Sequence, residues 1–193
     1  MSTGPDWAGI VLGPLRSDDL ATLHAWQNDP EVRDPIMGFR GPLQRETASA
    51  WIEQLRADNL RTRVVFGIYY SDVLKGVAQL HGIDWVHRTA AFGIYIGARS
   101  DRGAGLGFVA SSLLLDYAFA ALDLARVSLT VLAGNAATRL YERLGFVREG
   151  LLRQAFFLDG QREDVACYAM LRREWPGALP PGAHRLVSSR LTA

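Results

Sequence analysis

The sequence predicts an α+β domain built around one mixed, mostly antiparallel sheet of about seven strands, flanked by about four helices. Segments of alternating hydrophobicity and segments with helical spacing of apolar residues follow one another along the chain. Near the middle, a β-rich segment leads through a glycine-rich turn into a long apolar run. With 193 residues, 49% of them hydrophobic and 21% charged, the chain can bury a substantial core.

The first third of the chain predicts one strand and two helices. Residues 10–16 alternate as a short strand, and Ser17 is a candidate N-cap for a helix over 18–28. The sequence Asn28-Asp29-Pro30 ends that helix, because the residue before a proline disfavours the helical conformation. A second helix over 44–58 is predicted by four apolar residues at helical spacing: Ala48, Trp51, Ile52 and Leu55.

The rest of the chain alternates strands with two further helices. Strands are predicted over 63–70, 75–84, 89–97, 127–132, 148–157 and 163–171. The connections are Ser-Asp-Val-Leu after the first of these strands and Leu158-Asp159-Gly160-Gln161 before the last. One helix runs from the glycine loop to about residue 122, and another covers 136–144 with Gly145 as its C-cap. Residues 1–175 are therefore interpreted as one domain, followed by a Pro/Gly-rich tail over 176–193.

The glycine-rich turn is a candidate anion site. Residues 94–107 read IYIGARSDRGAGLG and lead directly into the apolar helix. A strand that delivers glycines onto a helix N-terminus presents free N–H groups and the positive end of the helix dipole to an anion. A Walker loop is excluded because Phe108 and Val109 stand where Lys-Ser/Thr is needed. The dinucleotide pattern fails because Phe108 replaces its last small residue. A tight connection without a ligand remains the alternative.

The composition excludes several classes of function. A net charge of +1 argues against a nucleic-acid binder. The single Cys167 excludes an intramolecular disulfide and a zinc cluster of cysteines, and the four histidines lack metal-ligand spacing. The sequence shows no apolar run of membrane-spanning length, and MSTGPDWAG lacks the features of a signal peptide. We therefore expect a cytoplasmic protein with no metal, no nucleic-acid partner and no membrane partner.

Two motifs resemble those of the GNAT acyltransferase superfamily. Arg102, Gly105 and Gly107 form R-x-x-G-x-G, which resembles the acyl-CoA pyrophosphate loop of that family. Residues 135–146, NAATRLYERLGF, resemble its N-x-x-[AS]-x-x-x-Y-x-[KR]-x-G-F segment. The predicted order of elements is also the GNAT order. LRSDDLATLHAWQNDPEVR resembles the branch of ribosomal-protein N-terminal acetyltransferases, and VHR, DYAF and FFLDGQ resemble bacterial spermidine N-acetyltransferases.

The resemblance implies where an acetyl-CoA donor binds. It implies that the strand holding Ile94, Tyr95 and Ile96 supplies a backbone N–H to the thioester oxygen. It implies that Asn135 contacts the CoA arm. It also implies that the loop amides hold the pyrophosphate: Arg102, Gly103, Ala104, Gly105, Leu106 and Gly107. Asn135 can alternatively be a helix N-cap, and Arg102 either a phosphate partner or a solvated charge.

Two residues are candidates for proton transfer. Tyr141 is the candidate acid, because a phenol with a pKa near 10 can return a proton to a leaving thiolate. The alternative is that Tyr141 packs on the sheet. His81, in alternation with Val77, Gln79 and Ile83, can accept the proton of the amine. A half-buried histidine without a catalytic role is the alternative.

The acceptor is a primary amine of undetermined identity. Candidate acceptor-binding residues are Trp26, Asp34, Phe39, Gln79, Asp84 and Trp85. Spermidine acetyltransferases carry acidic residues where this chain has Gln79, Gly82 and Ala91. The remaining acids fit a singly charged amine such as an amino sugar as well as a polyamine.

Three functions are consistent with the sequence. The first is an acetyl-CoA-dependent N-acetyltransferase acting on a small molecule such as an amino sugar, a polyamine or an aminoglycoside-like amine. The second is a protein N-terminal or lysine acetyltransferase, and the third is an inactive acyl-CoA-binding protein. The resemblance also implies a possible homodimer, joined through the last strands or the tail.

Overall fold

Seven strands and five α-helices make up the part of the chain that the computed structural model describes, residues 9–37, 42–58, 60–183 and 186. The strands are β1 Ile10–Gly13, β2 Arg63–Tyr70, β3 Val73–Asp84, β4 Thr89–Ile96, β5 Arg126–Leu132, β6 Val147–Leu158 and β7 Gln161–Leu171. The helices are α1 Leu20–Asn28, α2 Pro30–Arg33, α3 Arg45–Asp58, α4 Leu106–Asp116 and α5 Thr138–Leu144. A π-helical turn, Tyr117–Ala121, extends α4.

The strands form one sheet in the order β1-β2-β3-β4-β5-β7-β6. Neighbouring strands are antiparallel except β4 and β5, which are parallel. The prediction of a mixed, mostly antiparallel sheet of seven strands is confirmed.

The parallel pair separates part-way along its length. The described pairing of β4 with β5 covers three positions, from Thr89↔Arg126 to Ala91↔Ser128. Beyond them β4 continues to Ile96 and β5 to Leu132. We call the space between these two strand ends the split.

Helices cover the two faces of the sheet unequally. On one face, α4 and α5 pack on a large core that includes the sheet residues Phe66, Leu80 and Phe92. On the other face, α1 and α3 pack on a smaller core around Tyr69 and Val77. All sheet residues of the smaller core belong to β2, β3 and β4. The helices of that face therefore cover the half of the sheet that precedes the split.

Local differences from the sequence prediction have local causes. Pro30 starts the additional one-turn helix α2, with Asp29 as its N-cap through a 2.9 Å bond from the Glu31 N–H, so the helix count is five rather than about four. Asp19, not Ser17, supplies the capping carboxylate, which accepts the Arg16 N–H at 2.7 Å. The turn between β2 and β3 has two residues rather than four, because Ser71 and Asp72 both adopt positive φ.

A bulge at Gly82 changes which residues share a face with His81. Gly82 has φ +58, and the pairing of β3 with β4 shifts register between His81 and Asp84. Ile83 therefore turns into the core that contains Leu80. The expected alternation holds for Val77, Gln79 and His81 but is wrong for Ile83.

The C-terminal segment is irregular but packed. After β7, a 3-10 turn over Arg172–Glu174 leads to a segment without regular structure. Trp175, Leu179 and Ala183 lie against the larger core. This segment therefore covers part of the face that carries α4.

Candidate active site

The backbone of β4 presents hydrogen-bonding groups to the split. The Gly97 N–H donates to the Lys75 carbonyl oxygen at 3.0 Å, so it points toward β3. Residue pairs in an antiparallel ladder alternate between hydrogen-bonded and non-hydrogen-bonded positions. The main-chain N–H groups of Tyr95 and Gly93 therefore also point toward β3. The N–H groups of Ile94 and Ile96 point the other way, into the split. A carbonyl oxygen placed there can accept a hydrogen bond from the Ile94 N–H.

The side chains of this strand segment anchor it to the two cores. Ile94 and Ile96 pack against the core beneath α4. Tyr95 packs on the opposite face with its ring edge-on to Trp26, and burial raises the pKa of its phenol. The three residues expected to form this part of the donor site are therefore held from both faces of the sheet.

The glycine loop ends on the N-terminus of α4, as the sequence predicts. Gly105 is the N-cap with φ +96, a conformation that favours glycine. The N–H groups of Phe108 and Val109 bond back to the Gly105 carbonyl. The Leu106 and Gly107 N–H groups lie at the helix start, where no intrahelical carbonyl is available. Leu106 itself is fully buried, which anchors the helix start to the core.

The loop is held on its other side by an ion pair and by the Arg102 side chain. Lys75 Nζ lies 3.1 Å from the Asp101 carboxylate, and both side chains are largely buried. The Arg102 guanidinium donates to the carbonyl oxygens of Ile96, Gly97 and Glu31. Its backbone N–H bonds to the Arg99 carbonyl. In this structure the Arg102 side chain is therefore bonded to main-chain carbonyl oxygens of two segments.

Tyr141 lies beneath the split on the α4 face. It is 7% exposed, and its ring meets Phe92 of β4 edge-on at 6.2 Å between centroids. Phe92 is the first β4 residue beyond the last described pair with β5. Burial raises the pKa of Tyr141 to about 12, above the expected value near 10. The phenol is consequently protonated at neutral pH and holds a proton that it can donate.

Gln79 and His81 lie on the opposite face. The Gln79 side chain lies over the backbone of Gly93, where an added Cβ would be 3.1 Å from its amide nitrogen. His81 pairs with Ala91, at the position where β4 and β5 begin to separate, and with Arg63 on β2. Partial desolvation and the Arg63 guanidinium lower the pKa of His81. His81 is therefore neutral at pH 7 and able to accept a proton.

Two other acceptor candidates are engaged within the protein. The Trp26 indole lies against Gly97, where a Cβ would be only 1.9 Å from the ring. The Asp34 carboxylate accepts from Arg33 Nε at 2.8 Å. Phe39 lies outside the described residues. Contacts of these three residues with an acceptor remain predictions.

The structure does not bring Asp84 and Trp85 to the split. Both lie at the β3–β4 turn, the end at which β4 is still paired with β5. The Asp84 carboxylate accepts the N–H groups of Val86 and His87 at 2.9 and 2.8 Å, and these bonds lower its pKa. Trp85 Nε1 donates to the Arg61 carbonyl at 3.0 Å. Their observed contacts stabilise the turn.

Asn135 forms a turn before α5 and contacts the segment after α2. Its Oδ1 accepts the Ala137 N–H at 2.9 Å, and its Nδ2 donates to the Pro35 carbonyl at 3.3 Å. Asn135 stands six residues before Tyr141, whereas the family segment has its asparagine seven residues before the tyrosine. Gly134 occupies that position here, so the contact of Asn135 with CoA stays a prediction.

Sequence reasoning missed how the segment after α1 is attached to both sides of the split. Arg102 reaches the Glu31 carbonyl from the β4 side, and Asn135 reaches the Pro35 carbonyl from the β5 side. Arg99 adds an exposed ion pair with Glu31 at 3.2 Å. No motif signals these contacts; only the glycine at 97 hints that another element approaches the end of β4.

Two searches covered the described ranges. Within them, no cluster of three His, Cys, Asp or Glu side chains is arranged to hold a metal ion. No described helix combines the length and hydrophobicity required to span a membrane.

A parallel strand pair that opens beside the N-terminus of a helix, with a buried tyrosine beneath the opening, defines the class of acyltransferase that the two motifs resemble. Residues 10–147 match the family model described as an acetyltransferase (GNAT) domain. The chain belongs to the GNAT acetyltransferase family and is an N-acetyltransferase of that type.

Several known proteins are similar to this chain. The putative ribosomal N-acetyltransferase YdaF of Bacillus subtilis is 38% identical over 112 residues, which are 58% of this chain and 61% of that protein. Spermidine N(1)-acetyltransferase of Vibrio cholerae is 34% identical over 86% of this chain and 95% of its own length. A crystal structure of the Vibrio cholerae spermidine enzyme with CoA and spermine matches with a TM-score of 0.79 and 28% identity, over 86% of this chain and 98% of that one.

Proposed function

We propose that this N-acetyltransferase transfers the acetyl group of acetyl-CoA to a primary amine of a small molecule. The observation that carries the proposal is the direction of the Ile94 N–H, which points into the split beside the N-terminus of α4. A thioester carbonyl bound there meets a fixed hydrogen-bond donor, and a pyrophosphate meets the positive end of a helix.

The reaction is a direct attack. The amine nitrogen forms a bond to the thioester carbon, and the C–S bond breaks when the tetrahedral intermediate collapses. The Ile94 N–H stabilises the oxyanion. His81 takes the proton that the amine loses, and Tyr141 donates a proton to the CoA thiolate. Proton exchange through solvent then restores both side chains, and the products are an amide and free CoA.

The two faces of the sheet divide these roles. Tyr141 lies on the α4 face, whereas His81 and Gln79 lie on the other. The donor thiol and the acceptor amine therefore approach the carbonyl from opposite sides, which in-line attack and departure require. Gln79, a neutral hydrogen-bonding group over Gly93, is the proposed contact for the acceptor.

The class of amine is the finer part of the proposal. The Vibrio cholerae relative is a spermidine N(1)-acetyltransferase, whereas this chain presents Gln79 and His81 on the acceptor face of β3. Neither side chain carries a carboxylate that could pair with a second ammonium group, which favours an amine with one positive charge over a polyamine with several. The similarity to a putative ribosomal N-acetyltransferase supports a second candidate, a protein N-terminus.

Release of free thiol from acetyl-CoA tests the proposal. Purified enzyme would be assayed with amino sugars, aminoglycosides, spermidine and peptides with free N-termini. We expect turnover with at least one small amine and a higher kcat/KM for it than for the peptides. Preference for a peptide would replace the first candidate by the second. Binding of acetyl-CoA without turnover of any amine would support an inactive acyl-CoA-binding protein.

We further propose a homo-oligomer that uses β6. Within the described residues β6 pairs with β7 alone, and its apolar side chains Val147, Leu151, Leu152 and Phe157 are 41–54% exposed. A long apolar edge strand is a surface for association. The Vibrio cholerae spermidine enzyme has a dodecameric structure. Sedimentation velocity should show an assembly that Leu152→Glu dissociates and Val73→Glu, at a similarly exposed valine, leaves intact; a monomeric wild type would contradict this.

A further inference from the structure

We propose that Arg102 is a positioning residue that holds the end of β4 and the segment after α1 in place around the split, rather than a ligand of the donor phosphates. The inference rests on the proposed function, because it assigns how the Ile94 N–H is kept aligned. It concerns the Arg102 side chain, whereas the resemblance places the backbone amide of residue 102 in the phosphate loop.

The contacts of Arg102 are all with the protein. Nε donates to the Ile96 carbonyl oxygen at 3.1 Å, and one terminal nitrogen donates to the Gly97 carbonyl oxygen at 2.8 Å. The other terminal nitrogen reaches the Glu31 carbonyl oxygen at 3.3 Å. The three guanidinium nitrogens therefore all donate to main-chain carbonyls, two at the end of β4 and one in α2.

The Ile96 carbonyl explains why a cation is needed there. The main-chain carbonyl of Ile96 points away from β3, toward the side on which β5 would pair if the two strands had not separated. The separation removes the strand that would donate to this carbonyl. Arg102, a residue of the glycine loop, donates to this carbonyl with its Nε in place of a β5 N–H. The end of β4 therefore stays extended although it no longer pairs with β5.

The contact with Glu31 joins α2 to the end of β4. Trp26 of α1 rests on Gly97, and α2 follows α1 directly. Arg102 bonds to the carbonyl of Gly97 and to that of Glu31, so one side chain links the end of β4 with α2. Its loss should therefore affect the alignment of the reacting groups more than the affinity for the donor.

Two donors separate positioning from phosphate binding. S-Acetylpantetheine carries the same thioester as acetyl-CoA but no phosphate. With Arg102→Gln, we expect kcat to fall about 10- to 100-fold with both donors, since small misplacements in an active site cost this much. The KM for acetyl-CoA should change less than about threefold. A rise in that KM with unchanged kcat, and no effect on S-acetylpantetheine, would overturn the proposal.

A charge-conserving variant sharpens the test. Arg102→Lys keeps the positive charge but loses the fork, so a positioning role predicts a defect close to that of Arg102→Gln. A phosphate ligand would be largely rescued by lysine. Arg99→Ala is the matched control, because Arg99 lies in the same loop with an 82% exposed side chain and an exposed ion pair to Glu31. It should stay within about twofold of wild type.

Hydrogen exchange gives a readout that does not depend on activity. The Gly97 N–H, bonded to Lys75, should exchange faster in Arg102→Gln than in wild type. Unchanged exchange at Gly97 would overturn the proposal even if activity fell. If wild type turns over no amine, the proposed function fails, while this measurement still decides whether Arg102 holds β4.

Discussion

The donor side and the acceptor side of the split use different kinds of chemical group. The donor side consists mainly of main-chain groups: the Ile94 N–H, the helix start at Leu106 and Gly107, and the positive-φ Gly105. The acceptor side consists of two side chains, Gln79 and His81, which share one face of β3 and lie opposite Gly93 and Ala91 of β4. The main-chain groups of the donor side follow from a local motif, whereas the place of Gln79 and His81 beside the split depends on how β3 pairs with β4.

Tyr141→Phe should have the largest effect, because it removes the hydroxyl that donates a proton to the CoA thiolate in the proposed mechanism. No other side chain has a chemical role on the donor side of that mechanism. The ring contacts with Phe92 and Phe146 remain, so the fold should be unchanged. We expect kcat to fall about 100-fold with little change in the KM for acetyl-CoA. Steady-state kinetics measures both values.

Tyr168→Phe is the control for this substitution. The Tyr168 ring is tilted relative to that of Tyr141, with 6.5 Å between the ring centroids, and its hydroxyl donates to Glu142 at 3.2 Å. It should retain kcat within about threefold, because it has no role in proton transfer. Equal losses in the two variants would remove the assignment of Tyr141 as the acid.

Gly97→Ala should be the most damaging change to the packing of α1 on the end of β4, which borders the split. The new Cβ would lie 1.9 Å from the Trp26 ring, so α1 would have to move away from the end of β4. We expect the free energy of unfolding to fall by about 2 kcal/mol in denaturant titrations. Gly134→Ala, where no described atom lies within 4 Å of the new Cβ, should change it by less than about 0.5 kcal/mol.

His81→Gln tests the acceptor side through pH. Because the pKa of His81 is lowered, the wild-type kcat at saturating amine should stay level until the pH falls below about 6.5 and then decline as His81 is protonated. The variant should have a kcat about tenfold lower at pH 7 and should lose this acid limb. His87→Gln, at an exposed turn histidine, should keep the wild-type profile. An unchanged profile in His81→Gln would exclude His81 as the base.

Asp84→Ala should have the smallest effect, confined to stability. The two N–H bonds that lower the pKa of Asp84 hold the β3–β4 turn, so the melting temperature should drop slightly while kcat and KM stay unchanged. The contribution is present above the ordinary pKa near 3.8 and is lost as the pH falls through the lowered value. The difference in melting temperature should therefore shrink in acid. A raised KM for the amine would instead support the predicted contact with the acceptor.

The sequence predicted the features that depend on local patterns. The order of strands and helices along the chain, the glycine loop at the start of α4 and the C-cap at Gly145 were predictable, because periodicity and turn chemistry determine them. It did not predict the bulge at Gly82, which turns Ile83 into the core, or the carbonyl partners of Arg102. These features depend on which strands become neighbours and where two of them separate.

The most direct test of the account is residue-resolved amide hydrogen exchange, measured by NMR with and without acetyl-CoA. If the split is the thioester site, acetyl-CoA should slow exchange of the Ile94, Leu106 and Gly107 amides together. The Asp84–Arg88 turn should be unaffected. Saturable binding of acetyl-CoA that leaves the Ile94 amide unprotected would contradict the account.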